Sequence, residues 1–172
     1  MTSDLSPILQ NETFLPKHPA VGSIEDVLTF KLNRLVMINE REGHRWSGVS
    51  FDLSLNEWRV LAVIQAKAPV RAGDVSALLL MDKSQLSRLI KDLLEKRFIK
   101  SKPDANDARA VVLTLTSKGI AVYDDMLAEV IRQNEQVFAP LSAEEVALLD
   151  DMLNRLTTHN LSMLEKPAQV SR

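Results

Sequence analysis

The stretch that most constrains the fold covers residues 81–94, MDKSQLSRLIKDLL. Its apolar residues recur three and four positions apart and predict one buried helical stripe, formed by Leu86, Leu89, Ile90, Leu93 and Leu94. Asp82 and Gln85 have the spacing of a capping box, which predicts that the helix starts here. The opposite face and its flank contain Ser84, Gln85, Ser87, Arg88 and Lys91. Such side chains suit base edges and phosphates, although an ordinary amphipathic surface helix has the same pattern.

The segments on either side favour the nucleic-acid interpretation. A short helix is predicted over residues 72–80, and its expected core residues are Val75, Leu78 and Leu79. Because almost no linker separates it from the next helix, the pair forms a helix-turn-helix, whose second member enters a major groove. Residues 98–102 and 110–115 predict two strands around the turn-rich segment PDANDA. This hairpin is a wing, and we expect Arg109 at its base to enter a narrow minor groove.

The charge of the chain is unevenly distributed. Residues 83–109 contain eight Lys/Arg and four Asp/Glu, a net charge of +4. The whole chain has a net charge of −2, which leaves −6 for the remaining residues. A basic patch on an acidic body attracts an anionic polymer, although chance clustering would give the same sum.

Further helices are predicted on both sides of this region. Residues 1–22 are expected to form a flexible arm, and Ser23 to open a helix that ends near Arg41. This helix is apolar over a wide arc, which is typical of packing against two surfaces, such as its own domain and a second subunit. Residues 43–53 are expected to be a connection. A Ser54–Glu57 capping box then predicts a second helix that ends near Lys67.

The C-terminal part predicts two long helices. Thr116 caps the first, which runs to about Phe138 and is followed by Pro140. A capping box of Ser142 and Glu145 opens the last, which runs to about Asn160 and leaves residues 161–172 as a tail.

Several functional classes are disfavoured. The chain has no cysteine, no apolar run as long as a membrane span and no signal pattern, so we expect a cytoplasmic protein without membrane contact. The three histidines, His18, His44 and His159, lack the spacing of a local metal site. Nucleotide and acyl-transfer motifs and a nucleophile–base pair are missing, so we expect no enzyme and no cofactor. A protein-only interaction module remains an alternative, which salt-dependent DNA affinity would exclude.

In this order, the elements of residues 23–160 resemble the MarR family of winged-helix transcription regulators. The most specific segments are residues 53–64, 81–99 and 104–119, and within the last of them the signature residues are Asp107, Arg109, Leu115, Thr116 and Gly119. The resemblance implies a mainly α (α+β) fold that forms a single domain. Its winged helix would span about residues 54–119, and residues 23–42 and 116–160 would form a dimerisation layer.

The resemblance also implies a function. The family binds pseudo-palindromic operators in double-stranded DNA as homodimers, usually as repressors released by a small ligand, with half-sites about 10 bp apart. An activator with a different effector and a regulator of a drug-efflux operon are alternatives. The candidate DNA-binding residues are Arg71, Lys83, Ser84, Gln85, Ser87, Arg88, Lys91, Lys102, Asp107 and Arg109. Two positions depart from the family: Leu80 stands where Gly or Asn is frequent, and Arg71, where Ser or Thr is common, is a candidate for a phosphate contact.

A small-molecule effector is the second implication. Ligands of the family commonly bind between the first, second and fifth helices. In this chain the corresponding candidates are Met37, Arg41, His44, Arg45, Trp46, Trp58 and Arg59. Cations beside indole rings favour an aromatic carboxylate, through ion pairing and stacking. A core role for Trp58 and a solvated Arg45 are the simpler interpretations of these two residues.

Overall fold

The computed structural model describes residues 21–105, 107 and 110–164. In chain order it contains a 3-10 turn (Ile24–Asp26), α1 (Leu28–Phe51), α2 (Leu55–Lys67), β1 (Val70–Arg71), α3 (Ala72–Leu79), α4 (Lys83–Glu95), β2 (Ile99–Pro103), β3 (Val111–Leu115), α5 (Ser117–Phe138) and α6 (Ala143–Leu164). Its contacts form two compact units, residues 1–55 and 56–172. Most of the predicted arm and the last eight residues of the predicted tail lie outside the described residues. The predicted division into domains stays a prediction.

The first unit contains one long helix. The Ser23 hydroxyl accepts a hydrogen bond from the Glu25 amide and caps the 3-10 turn that precedes α1. α1 then continues to Phe51, so the predicted helix end near residue 41 and the predicted connection over residues 43–51 are wrong. Two glycines suggested the connection, but each costs only about 1 kcal/mol inside a helix, and no proline interrupts the segment.

Close packing explains one of these glycines. Gly43 is buried, and a Cβ at this position would lie 3.1 Å from Cδ2 of Leu55. The helix ends at Phe51, eight residues after Gly43, because Asp52 adopts a left-handed backbone conformation with φ of 50°. A small residue in α1 therefore permits close approach without breaking the helix.

The second unit is built on a three-stranded antiparallel sheet with the order β1-β3-β2. Val70 in β1 lies opposite Leu113, and Ile99 in β2 lies opposite Leu115. β1 was not predicted, because two residues are too few to show an alternating pattern. The helices α2 to α5 and the sheet together supply the core residues Val60, Leu61, Ile64, Val70, Val75, Leu86, Leu93, Phe98, Ile99, Val112, Leu113, Leu115 and Met126.

The predicted core of the helix-turn-helix is partly confirmed. Val75 is fully buried, whereas the side chain of Leu78 is 59% exposed, so its assignment to the core is wrong. α3 has only eight residues and buries a single narrow face, which leaves Leu78 in solvent. In α4 the predicted stripe is confirmed at Leu86 and Leu93, which are buried, and Leu94 lies at its exposed margin.

The C-terminal helices begin as predicted. The Thr116 hydroxyl accepts from the Gly119 amide at 3.0 Å and caps α5. The reciprocal bonds of the Ser142–Glu145 capping box are 2.8 and 3.3 Å long, and α6 extends past its predicted end to Leu164. Within the described ranges, no helix is both long and apolar enough to cross a membrane.

Candidate nucleic-acid interface

The start of α4 is fixed by its capping residue. Asp82 Oδ1 accepts hydrogen bonds from the Ser84 hydroxyl at 2.6 Å and from the Gln85 amide at 2.7 Å. These two bonds, the hydroxyl foremost, lower the pKa of the Asp82 carboxyl. The buried side chains of Leu86 and Leu93 fix the rotation of the helix about its axis. The predicted polar face of α4 therefore has a defined direction.

That face is accessible to solvent along its whole length. The exposed members are Lys83, Ser84, Ser87, Arg88 and Lys91, and Gln85 is half-buried on the flank. The Lys91 ammonium lies 3.7 Å from the exposed Glu95 carboxylate one turn later. Exposed ion pairs of this kind contribute little, so Lys91 can turn to a phosphate at small cost.

The turn between α3 and α4 is tightly hydrogen-bonded. The Leu80 and Met81 amides donate to the carbonyls of Ala77 and Ser76 at 3.3 and 3.1 Å, and the Ser76 hydroxyl donates to the Met81 carbonyl at 2.7 Å. Leu80 adopts a left-handed conformation with φ of 50°, which costs a non-glycine residue about 1–2 kcal/mol. These hydrogen bonds close the turn although a leucine, and not a glycine or asparagine, occupies the left-handed position.

The wing consists of β2, β3 and the turn between them. Pro103 lies opposite Val111, and the Asp104 amide donates to the Ala110 carbonyl at 2.9 Å. The Ala110 amide in turn donates to the Asp107 carbonyl at 2.9 Å. Of the candidate contacts on the wing, Lys102 and Asp107 are exposed, and Arg109 lies outside the described residues.

Arg71 contacts the root of the wing. Its Nε and Nη2 both lie 2.7 Å from Oδ2 of Asp104. The hydrogen bond and charge of Asp104 raise the pKa of the Arg71 guanidinium. The sequence predicts only a turn residue at Asp104, because 33 positions separate it from Arg71 and no pattern links the two. Only the pairing of β1 with β3 brings the two residues together.

The junction between α4 and the wing is held by the start of α5. Arg97 has a positive φ of 60°, and its carbonyl accepts from the Thr116 hydroxyl at 2.8 Å. Lys118 donates to the Lys96 carbonyl at 3.1 Å, and its ammonium lies 4.6 Å from the centre of the Phe98 ring. The end of α4 and the beginning of β2 are thus fixed to the same helix terminus.

A partly buried ion pair connects α4 to α2. The Lys96 ammonium lies 2.8 Å from Oε1 of Glu57, whose side chain is 7% exposed. The sequence indicated only that Glu57 belongs to a capping box. Glu57 and Lys96 lie far apart in the chain, so no local sequence pattern predicts that they pair.

Known proteins share this arrangement of helices and wing. A model of the MarR family matches residues 51–110, which include the helix-turn-helix and most of the wing. The multiple antibiotic resistance protein MarR of Salmonella typhimurium is 26% identical over 129 residues, which cover 73% of this chain and 90% of MarR. These matches confirm the predicted resemblance to the MarR family of winged-helix transcription regulators. The matched relatives are transcription regulators, which supports the predicted regulatory role and not an enzymatic one.

Solved structures confirm the predicted fold class. A MarR/EmrR family transcriptional regulator from Acinetobacter sp. ADP1 aligns with a TM-score of 0.74 at 23% identity, over 81% of this chain and 99% of its own. The PcaV transcriptional regulator from Streptomyces coelicolor, solved in complex with its natural ligand, aligns with a TM-score of 0.67 at 20% identity. That alignment covers 81% of this chain and 98% of PcaV. The mainly helical MarR fold with a small antiparallel sheet is thus shared.

The effector-binding residues predicted from the MarR resemblance are divided between the two units. Those on α1 are Met37, Arg41, His44 and Arg45, which are exposed, and Trp46, which is half-buried. Arg45 donates to Glu42 at 3.0 Å, and the Trp46 ring meets that of Phe51 edge-on at 6.1 Å. Trp58 and Arg59 on α2 are half-buried. The set stays a prediction, and among the described residues no three His, Asp or Glu side chains are grouped closely enough to hold a metal ion.

Proposed function

We propose that the chain forms a homodimer that binds a pseudo-palindromic operator and represses transcription until a small ligand binds. The observation that supports this proposal best is the exposed polar and basic face of α4 beside the wing. Its orientation is fixed on one side by the buried Leu86 and Leu93 and at its end by the Lys96–Glu57 ion pair. Because the helix is already held in place, it loses little conformational entropy when it enters a major groove.

In this arrangement, some side chains of α4 contact base edges and others contact phosphates. Arg88 and Gln85 contact base edges, where an arginine binds guanine through two parallel hydrogen bonds. Ser84, Ser87 and Lys91 contact phosphates or flanking bases, and these contacts set the position of the helix. Lys83 at the first turn and Lys102 on the wing add positive charge, and Arg109 with Asp107 meets the minor groove.

The exposed apolar side chains support a dimer. On α1 and α6 they are Leu28, Leu32, Leu35, Val36, Met37, Ile38, Leu148, Met152, Leu153, Leu156, Leu161, Met163 and Leu164, each at least 39% exposed. A monomeric protein rarely leaves so many large apolar side chains in water, whereas an association surface does. The two winged helices of the dimer then contact half-sites about 10 bp apart. Sedimentation at several concentrations tests the assembly, and a monomer at micromolar concentration contradicts it.

A gel shift on the promoter of the chain's own gene tests DNA contact. Losing a base-reading arginine costs about 1–3 kcal/mol, so Arg88→Ala lowers affinity by roughly one to two orders of magnitude. Arg132→Ala, which removes an exposed arginine from α5, is the matched control and leaves the affinity unchanged. Unchanged affinity for both Arg88→Ala and Arg109→Ala contradicts the assignment of these two contacts.

The salt dependence of binding separates this proposal from a protein-only interaction module. Each phosphate contact releases counterions, so the logarithm of the affinity falls by roughly 0.9 per contact for each decade of salt. A regulator with the basic residues of α4 and the wing therefore binds much more weakly at high than at low ionic strength. A chain without DNA affinity at low salt is instead an interaction module.

We propose an aromatic carboxylate as the effector. Arg41 and Arg45 supply positive charge on α1, and His44 adds an imidazole ring, close in sequence to the indole of Trp46. A natural ligand also accompanies the related PcaV structure. Thermal unfolding in the presence of a panel of aromatic acids tests the ligand class, and a panel in which no acid raises Tm contradicts it.

Transcript levels in a deletion strain distinguish repression from activation, and the affected genes distinguish control of drug efflux from other roles.

A further inference from the structure

The contact between Arg71 and Asp104 joins the helix-turn-helix to the wing. We propose that this ion pair is a positioning device, which holds the wing at the angle that lets its tip reach the minor groove while α4 occupies the major groove. The inference rests on the proposed operator binding and adds two residues that act on DNA affinity through the position of the wing.

The geometry of the pair is that of a specific contact. Two donors of one guanidinium, Nε and Nη2, meet the same Asp104 oxygen at 2.7 Å. The Asp104 side chain is 11% exposed and that of Arg71 is 45% exposed, so solvent screens the pair only in part. In this forked contact two nitrogens of one planar guanidinium share a single oxygen, which restricts the orientation of the guanidinium relative to Asp104.

The pair lies at a point from which it controls the wing tip. On one side, Arg71 directly precedes α3, whose Ser76 hydroxyl donates to the Met81 carbonyl just before α4. On the other side, Asp104 directly follows β2, and its amide closes the turn on Ala110. In the sequence, residues 105–109 follow directly after Asp104, which is tied to the reading helix through Arg71 and α3.

A direct phosphate contact is the alternative role for Arg71. The guanidinium is, however, surrounded by carboxylates: Asp104 in contact, with Asp107 and Asp74 close enough to raise its pKa further. These negative charges offset the attraction that Arg71 exerts on a phosphate. The local electrostatics therefore favour an internal partner for Arg71.

The two roles predict opposite results for Asp104→Asn. By charge alone, this substitution removes a negative group from a DNA-facing surface and frees Arg71, so it raises affinity. If Asp104 positions the wing, the substitution lowers affinity on the order of tenfold, as expected for a coupled contact. Asp74→Asn is the matched control, because it makes the same charge change in the first turn of α3 and keeps the Arg71–Asp104 contact.

A second variant keeps the positive charge at position 71 but removes the contact of two guanidinium nitrogens with Asp104. Arg71→Lys preserves one positive charge at the position but cannot form the forked contact. A positioning role predicts that it weakens binding as Asp104→Asn does, and a phosphate contact predicts near wild-type affinity. This variant decides the question even if Asp104→Asn fails to fold.

Footprinting on the promoter fragment shows where contact is lost. We expect both variants to keep the methylation protection of guanine N7 in the major groove and to lose minor-groove protection against hydroxyl radicals. Thermal unfolding confirms that each variant is folded. Wild-type affinity or tighter binding in both variants, with an unchanged minor-groove footprint, overturns the positioning role while the proposed function stands. A wild-type chain that binds no DNA at low salt overturns both.

Discussion

Gly119 at the start of α5 lies so close to the carbonyl oxygen of Phe98 that the Cβ of any other residue would overlap it. The same carbonyl accepts from the Thr116 amide at 3.0 Å, so it cannot move away without losing that bond. Gly119→Ala is therefore expected to lower the free energy of unfolding by about 1–3 kcal/mol or more, as overpacking does. Chemical denaturation measures the change.

The control for this substitution lies in another helix. A Cβ at Gly48 in α1 has no heavy atom within 4 Å, and alanine is the better helix former by about 1 kcal/mol. Gly48→Ala is therefore expected to leave the stability unchanged or to raise it. Equal effects of the two substitutions would show that helix propensity, and not the approach to Phe98, determines the result.

Leu80 is expected to be a site where substitution stabilises the protein. Its side chain is 70% exposed and loses little packing, while its left-handed backbone is unfavourable for a branched residue. Asparagine tolerates this conformation, so Leu80→Asn should raise the free energy of unfolding by about 0.5–1 kcal/mol. Leu78→Asn, an exposed position inside α3, should lower it slightly, since asparagine is a poorer helix former than leucine. A lower Tm for Leu80→Asn would contradict this account.

The ion pair between Lys96 and Glu57 is expected to respond asymmetrically to mutation. The Glu57 side chain is 7% exposed and that of Lys96 is 28% exposed. Lys96→Met removes a cation from a carboxylate that water hardly reaches, and should cost about 2–3 kcal/mol. Glu57→Gln leaves an ammonium that water can solvate and should cost less. Urea denaturation measures the loss of stability in both variants. A larger loss for Glu57→Gln than for Lys96→Met would contradict the view that burial of the carboxylate determines the cost.

Acid stability is expected to depend in part on Glu129 in α5. Hydrogen bonds from Arg132 and then Gln133 lower the pKa of this carboxyl from 4.5 to about 2. Because the folded-state pKa is the lower one, the stabilisation is complete above pH 4.5 and is lost as the pH falls toward 2. Glu129→Gln should flatten the profile of Tm against pH in this interval, and Arg132→Gln should do the same. A variant profile parallel to that of the wild type would exclude the contribution.

Local patterns predicted most of the second unit. Asp82, Thr116 and Ser142 were each expected to start a helix, and each does, because capping depends on residues three positions apart. The extent of α1 was not predictable in the same way. Its glycines are unfavourable locally, and the packing of Gly43 against Leu55 involves a residue beyond the helix.

Long-range contacts account for what the sequence could not predict about the candidate interface. The polar face of α4 follows directly from the helical period, and its members are exposed as expected. The partners of Arg71 and Lys96 lie 33 and 39 positions away, and no periodic pattern covers such distances. Arg71 was noticed as an unusual residue at a helix start, but its partner became apparent only with the pairing of β1 and β3.

The order of the strands also bears on how the protein avoids aggregation. β2 is the outer strand of the sheet, so one row of its backbone groups faces away from β3 and is a template for pairing with a foreign chain. Lys100 and Lys102 are exposed along this strand, and Pro103 at its end cannot donate a backbone hydrogen bond. If the β2 strands of two copies met edge to edge, their lysines would repel each other, and Pro103 would leave one backbone hydrogen bond without a donor. The lysines that suit a polyanion thus also keep copies of the wing from joining edge to edge in a crowded cell.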